Sequence, residues 1–196
     1  MLRFDHFFRH LLLQATVVLS VSFLSAQTPA SLADFNPRFE VFELPGGAWG
    51  NSVQDMVQDS LGFLWFASQA GLHRYDGQRF VTYRHDPNND NSLGSDYVEA
   101  IFWDSKGVLW LGHLDAGLTR FDPARNAFTR YRHNPKDSTS LSNDWVSSIA
   151  EDRQGKIWIG TVNGLNRLED PKTGKWKHYF HDSAKRGSLL HNNVHR

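Results

Sequence analysis

The chain repeats itself, and its period limits the architectures open to it. Laying Val53, Asp59, Gly62 and Trp65 over Val98, Asp104, Gly107 and Trp110, and again over Val146, Asp152, Gly155 and Trp158, brings four residue types into register three times. The register runs on through Gly71-Leu72, Gly117-Leu118 and Gly164-Leu165, then Arg74, Arg120 and Arg167. It continues through Tyr83, Tyr131 and Tyr179 with His85, His133 and His181, and closes on Ser92-Leu93, Ser140-Leu141 and Ser188-Leu189. The tryptophans stand 45 and 48 residues apart. Self-similarity at a period of about 20–50 residues marks a solenoid, a propeller or an array, in which one unit cannot bury its apolar face alone.

Each unit holds four short runs of alternating or aromatic character, at 98–104, 108–113, 117–122 and 128–132 in the second, each bounded by turn residues. These read as strands. The Asp-x-x-Gly segments at 59–62, 104–107 and 152–155 suit tight hairpins, because aspartate accepts from nearby backbone N–H groups and glycine takes positive φ. Four antiparallel strands per repeat predict all-β propeller blades in preference to a β-solenoid, which uses fewer strands per coil. The units are 51–95, 96–143 and 144–191, with a lead-in strand expected at 27–50 and a fourth unit beginning at 192–196. Three units and a start make an incomplete propeller.

Composition agrees and narrows the functions. Seven Trp, fourteen Phe and five Tyr against two Met favour strands. Lys plus Arg and Asp plus Glu both number 21, so the basic excess that nucleic acid or anionic lipid would draw on is missing and neither is an expected partner. The absence of cysteine excludes a disulfide framework, a thiolate metal site and a cysteine nucleophile. Residues 1–10, with Arg3 and Arg9, precede an apolar run at 11–24 and the small pair Ser25-Ala26, the layout of a signal peptide cut after Ala26. An uncleaved signal anchor has the same charge placement and stays open. Either reading exports the rest of the chain.

The run from Val146 through Asp152, Gly155, Ile157-Trp158-Ile159-Gly160 and Asn163-Gly164-Leu165 to Arg167 resembles the two-component regulator propeller repeat, which recurs from about Asn51 to His191. The first unit departs from the pattern at Ala67-Ser68, and the second carries one extra residue between Gly112 and Gly117. The resemblance implies a periplasmic sensing region of an exported bacterial sensor, often one for oligosaccharides. In the parent, further blades, a membrane-linked output domain such as a histidine kinase, and homodimerisation are implied. None of the kinase parts is in this chain, so that activity is implied for a longer parent only. A stand-alone secreted propeller, acting as a lectin or a protein-interaction scaffold, is the alternative.

Chemistry is sparse. Trp65, Trp110 and Trp158 recur at one blade position, which argues for packing between blades and against a sugar-stacking platform. The recurring Asp59, Asp104 and Asp152 belong to turns, and no G-x-S-x-G, H-E-x-x-H or Walker-type loop occurs, so no enzymatic activity is expected of this stretch. His85, His133 and His181 are expected as exposed turn residues, because equivalent positions in a ring lie too far apart to share a metal. No cofactor is expected. Binding residues should sit where repeats differ, on the turn after the second strand and on the links between blades, which share one face of a blade disc. That nominates Gln69, His113, Asp115 and Asn163, with Asp96, Asp144 and Trp145 near the channel mouth, as ligand contacts.

Overall fold

A computed structural model describes residue 41 and residues 43–195; the segment read as a signal peptide and most of the lead-in lie outside the described residues. The described part of the lead-in corrects one expectation. Gly47–Gly50 form a single helical turn, α1, where the pattern predicts a strand. Gly46 and Gly47 adopt φ of 114° and 63°, a left-handed pair that an extended run cannot accommodate.

Twelve strands among the described residues group as three four-stranded antiparallel sheets. The first contains β1 (Val53–Gln58), β2 (Leu64–Ser68), β3 (Gly71–Tyr75) and β4 (Phe80–Tyr83). The second contains β5 (Val98–Trp103), β6 (Leu109–His113), β7 (Leu118–Asp122) and β8 (Ala127–Tyr131). The third contains β9 (Val146–Glu151), β10 (Ile157–Thr161), β11 (Gly164–Asp170) and β12 (Lys175–Tyr179). Within each sheet the strands lie in sequence order. The first strands β1, β5 and β9 pack against one another in succession, which makes them the inner edge of a propeller with three blades described.

The hairpin between first and second strands is closed by its aspartate. Oδ1 of Asp104 accepts from the Lys106 and Val108 amides, both at 2.9 Å, while Oδ2 accepts from the Trp110 indole N–H at 2.8 Å. Asp59 does the same for Leu61, Phe63 and Trp65, and Asp152 for Gln154, Lys156 and Trp158. The repeated aspartate and tryptophan are therefore one device: the carboxylate shapes the turn and fixes the indole across the blade face.

Those indoles build the core, which lies between blades. Trp65 stacks on Tyr83 at 5.9 Å and meets the edge of Phe121, from the second blade, also at 5.9 Å. Leu72, Leu93, Val98 and Leu111 complete that cluster. The second interface repeats it with Trp110, Tyr131, Leu141, Val146 and Ile159, and Tyr131 meets Trp176 of the third blade. Trp65 and Trp110 are buried, as recurrence at one blade position predicts. Trp158 meets Tyr179 in a tilted ring contact at 5.3 Å and is half-buried, on the face of the third sheet that no other described sheet covers.

Removing the Asp104 carboxylate strands three donors, of which those of Val108 and Trp110 are buried, and each charge-assisted hydrogen bond is worth about 1.5–3 kcal/mol. Asp104→Ala is expected to lower unfolding free energy by at least ~3 kcal/mol in urea denaturation, with Asp104→Asn losing less.

Candidate functional site

The turns after the second strands and the links between blades meet on one face, as the even number of strand reversals between them requires. The Gly117 N–H donates to the Asp144 carbonyl at 2.8 Å, and the Val162 N–H donates to the Trp145 carbonyl at 3.3 Å. Gln69 donates from Nε2 to the Tyr97 hydroxyl at 3.3 Å, and Arg132 donates to the Asp115 carbonyl at 3.1 Å. Gly117 has φ 72°, and a Cβ there would overlap the Tyr131 carbonyl oxygen, so the turn depends on glycine.

Each link is clasped by the histidine that opens it. The His85 backbone N–H donates to Asp96 Oδ1 and its ring Nδ1 to the Leu93 carbonyl, both at 2.7 Å. His133 repeats this with Asp144 and Leu141 at the same distances, and His181 with Asn192 and Leu189 at 2.6 and 2.7 Å. Ser92 and Ser140 close the inner loop by accepting from the Asp86 and Asn134 amides at 2.8 Å. The histidine rings are exposed, as expected, yet they hold the links in shape, and Leu93 and Leu141 are thereby driven fully into the core.

Beneath this face lies a set of polar residues that the repeat pattern hides. The last residue of the second strand and the residue two after the repeat glycine are Ser68 and His73, then His113 and Thr119, then Thr161 and Asn166, and all six are fully buried. In the first blade His73 bonds Ser68 at 2.9 Å and Thr82 at 3.0 Å. In the second the Gly94 N–H donates to Thr119 Oγ1, which bonds His113 Nε2 at 2.8 Å, while His113 Nδ1 donates to the Tyr97 carbonyl at 3.0 Å. In the third the Ser142 N–H donates to Asn166 Oδ1 at 2.9 Å and the Ser142 hydroxyl bonds Thr161 at 3.1 Å. In the second and third blades these side chains tie the incoming link to the blade, whereas in the first they brace the blade's own strands.

This removes His113 from the ligand contacts the sequence nominates: it has no solvent exposure and both ring nitrogens are spent on the chain. Asp96 and Asp144 are half-buried, and one carboxylate oxygen of each is committed to a link clasp. Asp96 also faces Arg84 at 3.8 Å. Asp115 and Asn163 are exposed at turn tips, Gln69 is half-buried beside Tyr97, and Trp145 is 41% exposed. A cavity of about 310 Å³ brings Asp115 together with Ser95, His85, Arg130 and Arg132. Arg130 is tied down, donating to the Ser92 and Asn89 carbonyls, whereas Arg132 is exposed. Sequence comparison missed Tyr97, Arg130 and Arg132; the signal for Tyr97 is its alignment with Trp145, each directly before the valine that starts an inner strand.

Two stretches, 92–115 and 140–163, match the family model of the two component regulator propeller. Over 76 residues the chain is 34% identical to histidine kinase P4 of Formosa agariphila, an alignment spanning 39% of this chain and 5% of that protein. Its fold superposes on the extracellular domain of a hybrid two component system of Bacteroides thetaiotaomicron with a TM-score of 0.64 and 30% identity, covering 73% of this chain and 20% of that one. A virginiamycin B lyase from Staphylococcus aureus, at 16% identity and a TM-score of 0.52, covering 70% of this chain and 43% of the lyase, shares the fold.

The pKa values of His73 and His113 are lowered from 6.5 to about 4, chiefly by burial, with Arg84 contributing at His73. Both are neutral in the folded state, and the unfolded chain takes up their protons first as pH falls. Their contribution is complete above pH 6.5 and is lost between about pH 6.5 and pH 4, on the order of 3 kcal/mol per ring. The urea midpoint should fall across that window, and His113→Gln should flatten the fall. Carboxylates held below their ordinary range, such as Asp152 beside the Trp158 and Lys156 N–H groups, lose their contribution only at lower pH.

Proposed function

We propose that this chain, which carries two-component regulator propeller repeats, is the periplasmic ligand-sensing region of a two-component signalling protein and that its ligands are oligosaccharides. The coarser part rests on the family match and on the likeness to an extracellular two-component domain. The chain spans a small share of those relatives, so kinase output, further blades and homodimerisation belong to a longer parent in this reading. Recognition, not catalysis, is the task assigned to it.

The carrying observation is the aromatic pair at the start of the inner strands. Tyr97 and Trp145 hold equivalent places on successive blades, each directly before the valine that opens an inner strand; the Tyr97 hydroxyl accepts from the Gln69 amide, and Asn163 follows the Val162 whose N–H donates to the Trp145 carbonyl. The Trp145 backbone is held from both sides, its N–H by Asn143 Oδ1 at 2.7 Å and its carbonyl by Val162. Its ring is nonetheless 41% exposed. An aromatic face with a polar edge on a rigid backbone suits the apolar face of a sugar, with hydrogen bonds to its hydroxyls. Ordering cost on binding is small because the scaffold is already fixed.

Calorimetric titration of the full chain with a panel of neutral oligosaccharides tests this. One member should bind, and Trp145→Ala should weaken it about tenfold, the equivalent of ~1.4 kcal/mol. Asp104 lies on the other face, so Asp104→Asn should leave the affinity of the folded protein unchanged. Equal affinity in wild type and Trp145→Ala would remove this face from the site.

A further inference from the structure

The opposite face of the disc carries a second concavity, formed where the second and third blades meet. It encloses about 750 Å³ between the turns that follow their first and third strands. Its floor includes Tyr131, Leu168 and Ile157, and its walls carry Lys106, Arg120, Lys156 and Lys172.

The lining also carries Asp104, Asp122 and Glu169, so cations outnumber acids in the cleft but do not stand alone there. Asp104 accepts three N–H donors within its own hairpin. Asp122 pairs with Arg125 at 2.8 Å, and Glu169 with Arg167 at 2.7 Å. Glu151, beside the Lys106 end of the cleft, accepts from the Ser105 amide and hydroxyl. Among the described residues, Lys106, Arg120, Lys156 and Lys172 form no ion pair. Lys106 reaches across the blade boundary, its Nζ standing 3.9 Å from the place a Cβ on Gly155 would occupy.

Arg120 differs from its equivalents. Each repeat sets this arginine directly across from the blade tryptophan, as Trp65 with Arg74, Trp110 with Arg120 and Trp158 with Arg167. Arg74 lies over the Phe63 ring at 4.7 Å and Arg167 over Trp158 at 5.5 Å, the latter also paired to Glu169. In the second repeat Val108 replaces Phe63 and the acid two residues on, Asp122, is taken by Arg125. The Arg120 guanidinium is left to the cleft.

A guanidinium offers a planar fork that matches carboxylate and sulfate oxygens, and a concave wall of low dielectric focuses the field of like charges. We propose that this cleft is an oxyanion-binding site, taking a sulfate or carboxylate group through Arg120 with Lys106, Lys156 and Lys172. It is separate from the aromatic face proposed for sugars and does not depend on that reading.

The full chain is titrated calorimetrically at low ionic strength with sodium sulfate, with trigalacturonate and with maltotriose as the neutral control. At least one anion should bind, more weakly as salt rises, and Arg120→Gln combined with Lys156→Gln should cost at least tenfold in affinity. Arg120→Lys should recover part of the loss, since charge returns without the fork. Binding of sulfate by itself identifies a free inorganic oxyanion as the ligand, whereas binding of trigalacturonate by itself identifies a uronate-bearing glycan. If the double variant fails to fold, Lys106→Gln with Lys172→Gln, both at exposed positions, is measured to the same tenfold criterion. Absence of binding by both anions at millimolar concentration, or wild-type affinity in a folded charge-removed variant, overturns the proposal. Loss of anion binding in Trp145→Ala also overturns it, by placing the anion on the other face.

Discussion

A carboxylate that accepts three N–H groups at the tip of a hairpin is the constraint on which these blades depend. Asp59, Asp104 and Asp152 each hold two turn amides with one oxygen and the blade tryptophan with the other. Without that bond the indole N–H of Trp65 or Trp110 would be buried without an acceptor, at a cost comparable to the packing gained. With it, the ring is held in the core, where Trp65 meets Phe121 of the next blade and Trp110 stacks on Tyr131, which in turn meets Trp176. Turn, core and blade spacing thus share one origin.

The two faces of the disc use the scaffold differently. On the side of the links, a histidine clasp shapes each link, and the buried polar residues beneath change from Ser68 and His73 to His113 and Thr119 to Thr161 and Asn166, of which the last two sets also bond the incoming link. The changes compensate within a blade, so the backbone keeps its course while the exposed residues above, Asp115, Asn163 and Trp145, vary freely. On the other side the hairpins themselves form the rim, and their backbone is committed to the aspartates. Variation there falls on outward side chains, which is how Lys106, Lys156 and Lys172 come to surround one cleft.

Much of this was legible in the chain. The Asp-x-x-Gly spacing implied tight turns and the recurring tryptophans implied a core between blades, because a position repeated three times in a ring is met by the same neighbours each time. His113 shows where such reading stops. It occupies a variable turn and carries useful chemistry, both marks of a binding residue, yet it is buried with its nitrogens bonded to Tyr97 and Thr119. The lead-in turn at Gly47–Gly50 was equally hidden, since left-handed glycines interrupt what reads as an extended approach.

The amino-acid sequence by itself determined the repeat, the four strands in each unit and the residues that shape the turns, because these follow from local periodicity and from the conformational demands of aspartate and glycine. Tertiary structure decided which side chains reach solvent. Trp145 keeps its ring partly in solvent while His113 is enclosed, and Arg120 opens onto a cleft while Arg74 and Arg167 lie over rings. Those outcomes depend on how side chains of separate strands and turns pack and pair once the sheets are formed, and no local pattern encodes the filling of a space between two sheets.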